Sequence, residues 1–143
     1  MKMAEIYVPA GGPPQGSSPS QEIYGLMGQD NIFAMIRDFY QRLGQSSIKG
    51  MFPGDLTLSA DKSAAFFVNW LGGPPLYQEL YGAPMMRRLH MSFTIDEAAR
   101  QVWLGCFFAT LENADKYHFP EQHLEGFKVF LNVFSAWMVN RQS

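Results

Sequence analysis

The chain carries little charge of either sign and almost no cysteine. Its 143 residues include 11 Lys and Arg, 13 Asp and Glu and a single cysteine, and the formal net charge is −2. Apart from Arg87 and Arg88, no stretch gathers basic side chains, which excludes the electrostatic surface of a duplex-binding protein. Because Cys106 has no second cysteine to pair with, an intramolecular disulfide is excluded, and a reducing, cytoplasmic location is expected.

Long apolar runs and strand patterns are missing as well. Two uncharged stretches rich in apolar residues, 101–111 and 129–140, are far shorter than the roughly 20 residues that cross a bilayer. Residues 1–14 contain no apolar stretch of signal-peptide length. Neither a repeat nor a strand-like alternation of apolar and polar residues occurs. These absences exclude a membrane span and predict a soluble, helical protein.

Aromatic and helix-forming residues are abundant. A length near the roughly 150 residues of an average domain predicts one domain. The 12 Phe, 6 Tyr, 3 Trp and 9 Met favour a pocket lined with large, polarisable side chains. Residues 1–20 are rich in Pro, Gly and Ser and are expected to form a flexible tail. Residues 21–143 are then the folded domain.

Apolar residues recur at helical spacing in four segments, which predicts an all-α fold of five or six helices. Between the second and third of these segments, the interval 76–94 suits a loop with one short helix. The four predicted helices are a helix over about 30–44 capped by Asp30 or Asn31, a helix from Thr57 or Ser59 to Leu71, a long helix capped by Asp96, and a last helix with Pro120 in its first turn.

Two groups of potentially reactive side chains are better explained by structural roles than by metal binding or catalysis. His118, Glu121, His123 and Glu125 are metal-ligating types, but the histidines lie five residues apart, which is not the spacing of ligands on one helix face. A solvated helix start is the favoured interpretation. Cys106 fits a small core side chain, and no signature of a catalytic triad accompanies it.

His90 differs because of its neighbours. Arg87 and Arg88 precede it, Met91 and Phe93 follow it, and the segment is the most apolar irregular part of the chain. A histidine in such a place is most often a hydrogen-bonded core residue, and that alternative stays open. Haem, however, demands a helical, aromatic pocket with one imidazole for the iron and Lys or Arg at the rim for the propionates.

A set of short motifs carries a family resemblance across residues 23–140. They are Tyr24 with Gly28, Phe39-Tyr40, Phe52-Pro53, the run from Gly72 to Tyr77, Gly82-Ala83-Pro84, the run from Arg87 to His90, Phe93-Thr94-Ile95 and Trp103-Leu104. In combination these motifs are specific. The chain resembles the group II truncated haemoglobins, and the resemblance implies a 2-over-2 helical sandwich around haem b.

The resemblance assigns roles to individual residues. It implies His90 as the proximal ligand of the haem iron, Tyr40 as the distal tyrosine and Trp103 as the indole that characterises group II. The other implied roles are Phe52 as the aromatic wedge against the haem, Ser59 and Ser63 as residues facing the bound ligand, Lys62 and Arg87 as partners of the propionates, and Phe66, Phe67, Tyr77, Met86, Leu89, Phe93 and Ile95 as haem contacts.

The chain departs from the family pattern at three positions. It has Gly82-Ala83-Pro84 where the family usually has Gly-His-Pro, which removes a polar contact. Leu89 precedes the predicted iron ligand where a basic residue is usual, so Arg87 and Arg88 both remain candidates for the propionates. Ser63 is smaller than usual, which predicts a more open or wetter distal pocket.

The resemblance implies reversible binding of dioxygen, NO or CO, with Tyr40 and Trp103 as hydrogen-bond donors to the ligand. Core packing alone is the alternative role of these two residues. A redox enzyme that removes NO or peroxide with the help of a reductase is the alternative function. A sensor is disfavoured because no signalling domain follows Ser143. No nucleic acid or membrane partner is expected, and the protein is expected to be a monomer or a weak homodimer.

Overall fold

A computed structural model describes residues 19–52, 56–82 and 95–139. Within these ranges the chain is helical and has no β-strand, so the predicted all-α class is confirmed. None of the described helices has the length and apolar character needed to cross a bilayer. The α-helices are α1 (Ile23–Met27), α2 (Gln29–Leu43), α3 (Leu56–Trp70), α4 (Leu76–Tyr81), α5 (Glu97–Leu111) and α6 (Leu124–Met138), and short 3₁₀ turns cover Lys49–Met51, Ala114–Tyr117 and Glu121–His123.

Helix α2 covers the predicted segment, but its N-cap residue was predicted wrongly. Gly28 is the N-cap residue, with φ +85°, and no side chain caps the helix there. Asp30 lies in the first turn, where a carboxylate is favourable to the helix dipole. Asn31 donates from Nδ2 to the Met27 carbonyl oxygen at 2.8 Å and therefore joins α2 to α1.

The starts of α5 and α6 show one confirmed and one corrected prediction. Asp96 caps α5, since its Oδ1 accepts a hydrogen bond from the Ala99 N–H at 2.9 Å. Helix α6 begins only at Leu124, because a 3₁₀ turn precedes it. The His123 N–H donates to the Pro120 carbonyl oxygen at 3.0 Å and closes that turn. Pro120 therefore precedes the 3₁₀ turn instead of opening the α-helix.

The core lies where α2 and α3 meet α5 and α6. Phe107 of α5 is fully buried at its centre. Its ring centroid lies 4.3 Å from Phe39 of α2, 5.6 Å from Phe67 of α3 and 5.7 Å from Phe127 of α6. Most of these ring pairs are tilted or edge-on, the arrangement that aromatic quadrupoles favour. One aromatic residue thus ties all four long helices together.

The Gly-Gly-Pro motif makes a close turn between α3 and α4. Gly72 has φ +105°, and a Cβ atom placed there would lie 1.9 Å from the Gln21 carbonyl oxygen. A Cβ atom at Gly73 would lie 2.6 Å from the ring of Tyr24, and the Tyr24 N–H donates to the Leu71 carbonyl oxygen at 2.8 Å. The glycines therefore allow α1 to pack directly on the end of α3.

The predicted tail over residues 1–20 lies outside the described residues except for its last two positions. Pro19 is buried, and the Ser20 hydroxyl oxygen lies 3.5 Å from Nε2 of His123. The boundary between tail and domain stays a prediction.

Candidate functional site

A cavity lies among the four long helices. The described residues enclose a volume of about 70 Å³. Most of its wall is apolar. The lining residues are Tyr40 from α2, Ile48, Met51 and Phe52 from the connection to α3, Ser63 and Phe67 from α3, Ile95, Ala99, Arg100 and Trp103 from the α5 region, and Phe134, Ser135 and Met138 from α6.

Tyr40 places a buried hydroxyl at the wall of this cavity. Its oxygen lies 2.9 Å from the hydroxyl oxygen of Ser63, one of which donates to the other across α2 and α3. Burial raises the pKa of Tyr40 above its ordinary value, and the hydrogen bond with Ser63 offsets only part of that effect. The phenol is therefore neutral near pH 7 and keeps a proton that it can donate.

Trp103 contributes a half-buried indole from α5. Its ring meets Phe39 edge-on at 5.3 Å and lies 5.5 Å from Phe107 and 6.5 Å from Phe134. These contacts hold the ring at the boundary between the core and the cavity. Within the described ranges, no residue accepts a hydrogen bond from the indole N–H.

The cavity brings together six of the residues predicted for the site. They are Tyr40, Phe52, Ser63, Phe67, Ile95 and Trp103. The ring of Phe52 meets that of Tyr40 at 5.8 Å, edge to face. Together these side chains surround an apolar space with three neutral groups that can donate hydrogen bonds.

Four other predicted residues do not line the cavity. Ser59 lies half-buried one helical turn before Ser63 on α3. The Lys62 ammonium lies 5.4 Å from the ring centroid of Tyr81, a cation–π contact. The Phe66 ring lies 5.7 Å from that of Tyr77, which lies 5.2 Å from that of Tyr81. The rings of Phe66, Tyr77 and Tyr81, with the Lys62 ammonium, form a separate group between α3 and α4.

Five predicted residues lie outside the described part of the chain, and their roles stay predictions. They are His90, Met86, Arg87, Leu89 and Phe93.

Sequence reasoning missed seven lining residues: Ile48, Met51, Ala99, Arg100, Phe134, Ser135 and Met138. Phe134 and Met138 lie four positions apart on one face of α6, a spacing that is typical of core residues and does not distinguish a cavity wall. Nothing in the local sequence pointed to Arg100. Its guanidinium donates to Glu97 at 2.8 Å, to Ser135 at 3.0 Å and to the Asn132 carbonyl oxygen at 3.0 Å, so α5 and α6 hold the charge while the aliphatic stem contributes to the wall.

The other cluster of potential metal ligands has a different role. In the described ranges no group of three or more His, Cys, Asp or Glu residues is arranged to hold a metal ion. Nε2 of His123 instead lies 3.2 Å from a carboxylate oxygen of Glu22, a contact that links α6 to the start of α1.

The described residues of the cavity fit a haem. A porphyrin needs a wide apolar space, and Phe52, Phe67 and Met138 provide apolar walls from three parts of the chain. The neutral hydroxyl of Tyr40 and the indole of Trp103 add donors without a fixed charge. Ile95, which directly follows position 94 in the sequence, also lines the cavity.

The model of one protein family, the bacterial-like globins, matches residues 22–138. The chain belongs to this family. Among curated proteins it is 38% identical over 84 residues to the group 2 truncated hemoglobin YjbI of Bacillus subtilis (strain 168). That match covers 58% of this chain and 64% of the relative, less than two thirds of the relative's length.

Solved structures support the same assignment. The phosphate-bound Hell's gate globin IV shares 35% identity and a TM-score of 0.82, covering 91% of this chain and 81% of its own. The truncated oxygen-avid haemoglobin from Bacillus subtilis shares 32% identity and a TM-score of 0.73, covering 82% and 98%. The predicted resemblance to the group II truncated haemoglobins and the truncated globin fold are confirmed. The chain is a haem globin.

Proposed function

We propose that this globin binds haem b through His90 and reversibly binds a diatomic ligand, dioxygen foremost, in the cavity beside Tyr40 and Trp103. The observation that carries the proposal is a buried, neutral tyrosine hydroxyl on the wall of an apolar cavity in a chain of the bacterial-like globin family. NO and CO are further candidate ligands.

A haem held in the cavity would supply the iron chemistry that binds a diatomic ligand, and such binding would leave partial negative charge on dioxygen. Tyr40 stabilises such a ligand by donating a hydrogen bond to it. Either hydroxyl of the Tyr40–Ser63 pair can be the donor between the two. When Ser63 donates to Tyr40, the tyrosine proton is free to point to the ligand, and a donor fixed in an apolar cavity is stronger than one in water.

The place of His90 in the chain supports its role as the iron ligand. It belongs to the 12-residue segment 83–94 that joins α4 to Ile95 and α5. Ile95 lines the cavity, and His90 precedes it by five residues. His118 and His123 lie elsewhere, on the connection between α5 and α6. Arg87 and Lys62 are the proposed partners of the haem propionates.

Absorption spectra of the purified protein test the proposal. Ferric, ferrous and CO-saturated samples are expected to show haem bands at one haem per chain, and His90→Ala is expected to lose stable haem or change its spectrum. His118→Asn is the matched control, because His118 is exposed with φ 56°, a conformation that Asn tolerates. Parent-like spectra and haem content in His90→Ala would refute the assignment of the iron ligand.

A further inference from the structure

An open groove lies next to the cavity and shares a wall with it. The groove has a volume of about 320 Å³ and separates the 3₁₀ turn Lys49–Met51 from the first turns of α5. We call it the α5 groove. Ile48, Met51 and Ala99 line both the groove and the cavity. One layer of side chains therefore separates the cavity from the groove.

The side chains of this layer are small or flexible. Ala99 presents a methyl group, and Met51 is half-buried with an unbranched thioether that changes conformation easily. The side chains of Ile48, Met51 and Ala99 make no conventional hydrogen bonds. Displacing them for a moment breaks only dispersion contacts, which are individually weak.

A second groove offers a more difficult path. It lies between α2 and α3 and, among the described residues, shares only Tyr40 with the cavity. Passage there requires the buried ring of Tyr40 to move and its hydrogen bond with Ser63 to break. Arg37 and Gln41 also give that groove polar walls, whereas Ala98 and Val102 make the α5 groove apolar.

We propose that uncharged diatomic gases enter and leave the cavity through the α5 groove, passing between Met51 and Ala99. The proposal rests on the proposed function. Dioxygen, NO and CO are weakly solvated by water and enter an apolar gap readily. Asp96 and Ser47 stand among the lining residues, and the Asp96 carboxylate disfavours anions. Met51 and Ala99 are the residues that determine access.

Filling the groove from outside tests the route. Ala98 lines the groove but not the cavity and is exposed, so Ala98→Trp closes the path without altering the ligand site. After laser photolysis of the CO-saturated holoprotein, we expect bimolecular rebinding about tenfold slower, a barrier increase of about 1.4 kcal/mol. Met51→Ala, which thins the layer, should accelerate rebinding. Gln101→Trp is the control, since Gln101 is exposed on the same helix and lines neither space.

Xenon provides a measurement that does not involve the iron. Crystals of the full-length holoprotein under xenon pressure are expected to hold xenon in the α5 groove of the parent and not of Ala98→Trp. If the parent protein shows no xenon density in the α5 groove, the proposal is overturned. The proposal is also overturned if Ala98→Trp gives a full photolysis signal and its CO rebinding rate is within twofold of that of the parent. A protein without haem gives no photolysis signal, so failure of the proposed function is distinguishable, and the xenon result then decides the groove.

Discussion

The hydroxyl of Tyr40 has two possible partners, and the balance between them sets its role. Burial keeps the phenol protonated, and Ser63 lies within hydrogen-bond distance at 2.9 Å. Ser63 can donate as well as accept, so it can orient the phenol while the Tyr40 hydroxyl proton stays available to a ligand. Tyr40 is therefore suited to stabilise a partially negative ligand.

We expect Tyr40→Phe to accelerate dioxygen dissociation roughly ten- to a hundredfold, because a hydrogen bond to a charged acceptor contributes about 1.5–3 kcal/mol. CO dissociation should change much less, since bound CO carries less charge. Trp103→Phe should act in the same direction, and Ser59→Ala should have a smaller effect. Stopped-flow measurements of both gases on each variant check this ranking.

Tyr117→Phe is the matched control. Tyr117 is also a buried tyrosine with a bonded hydroxyl, but its partner is Asp38 and it does not line the cavity. Its loss should leave both dissociation rates unchanged. A dioxygen dissociation rate in Tyr40→Phe within twofold of the parent would reduce Tyr40 to a packing residue.

Asp38 joins α2 to the 3₁₀ turn Ala114–Tyr117. It accepts hydrogen bonds from the Tyr117 hydroxyl and, at 2.9 Å, from the Lys116 ammonium. Burial by itself would raise the pKa of Asp38, but these two partners outweigh it and lower the pKa below its ordinary value. Burial and the Asp38 carboxylate both raise the pKa of Tyr117, which therefore stays a donor.

The depressed pKa of Asp38 predicts a loss of stability in acid. Its contribution is present above the unfolded-state pKa, near 3.8, and is lost as the pH falls through the lower folded-state pKa. Asp38→Asn should lower the free energy of unfolding at pH 7 and weaken its fall below about pH 4. Urea unfolding across this pH range measures both effects.

Asp61→Asn is the control that separates the contribution of Tyr117 to the stability from that of an ion pair alone. Asp61 pairs with Arg37 at 2.9 Å, a distance equal to that of the Lys116–Asp38 pair, but it has no tyrosine partner. Exposed ion pairs contribute about 0–1 kcal/mol, so this variant should stay close to the parent. Equal acid sensitivity of the parent and Asp38→Asn would contradict the assignment.

At the scale of elements, the turn between α3 and α4 requires glycine because any side chain there would clash with the backbone of Gln21. Gly72→Ala would place a methyl group 1.9 Å from a backbone oxygen at φ +105°. We expect it to lower the free energy of unfolding by at least the roughly 1–3 kcal/mol of a strained backbone, measured by urea unfolding.

Gly25→Ala is the matched change. Gly25 lies inside α1, and a Cβ atom there meets nothing within 4 Å. Alanine is the better helix former by roughly 0.5–1 kcal/mol, so this variant should be neutral or stabilised. Similar stabilities of the two variants would show that the close approach at Gly72 is relieved by movement of α1.

The extent of a helix could be predicted from the sequence where apolar residues recur on one face of that helix. Apolar residues at helical spacing predicted a helix over about 30–44, within a residue of the observed ends of α2, and Asp96 marked the start of α5. Capping by Gly28 was missed because the nearby Asp30 and Asn31 are the usual N-cap types. Helix ends depend on which backbone group finds a partner, and composition alone does not decide that.

The site was predictable only in part. Family resemblance identified Tyr40 and Trp103, but the α6 side of the cavity depends on how two helices distant in sequence meet. Arg100 shows the reason. Besides Glu97, the guanidinium of this charged residue is held by Ser135 and Asn132, more than 30 positions away. No periodicity within α5 contains that information.

At the scale of the whole molecule, the cavity is the place where α2, α3, α5 and α6 share one surface. A group bound there contacts all four long helices at once. The unfolded chain has no such surface. The binding free energy of the haem is therefore coupled to the free energy of folding, and a change at the iron ligand is expected to reach the stability of every helix.

This coupling predicts that haem stabilises the protein in proportion to the logarithm of its free concentration. A ligand that binds only the folded state adds about 4.1 kcal/mol at a thousand times its dissociation constant. Urea unfolding followed by far-UV circular dichroism at graded haem concentrations should show the midpoint rising, with α-helix and haem signals lost together. In His90→Ala the rise should begin at a higher haem concentration, because the iron–imidazole bond is lost while the apolar contacts remain, and in the control His118→Asn it should match the parent. An unfolding midpoint that is independent of haem in the parent would mean that haem binds without engaging the four-helix cavity, and would refute this placement of the site.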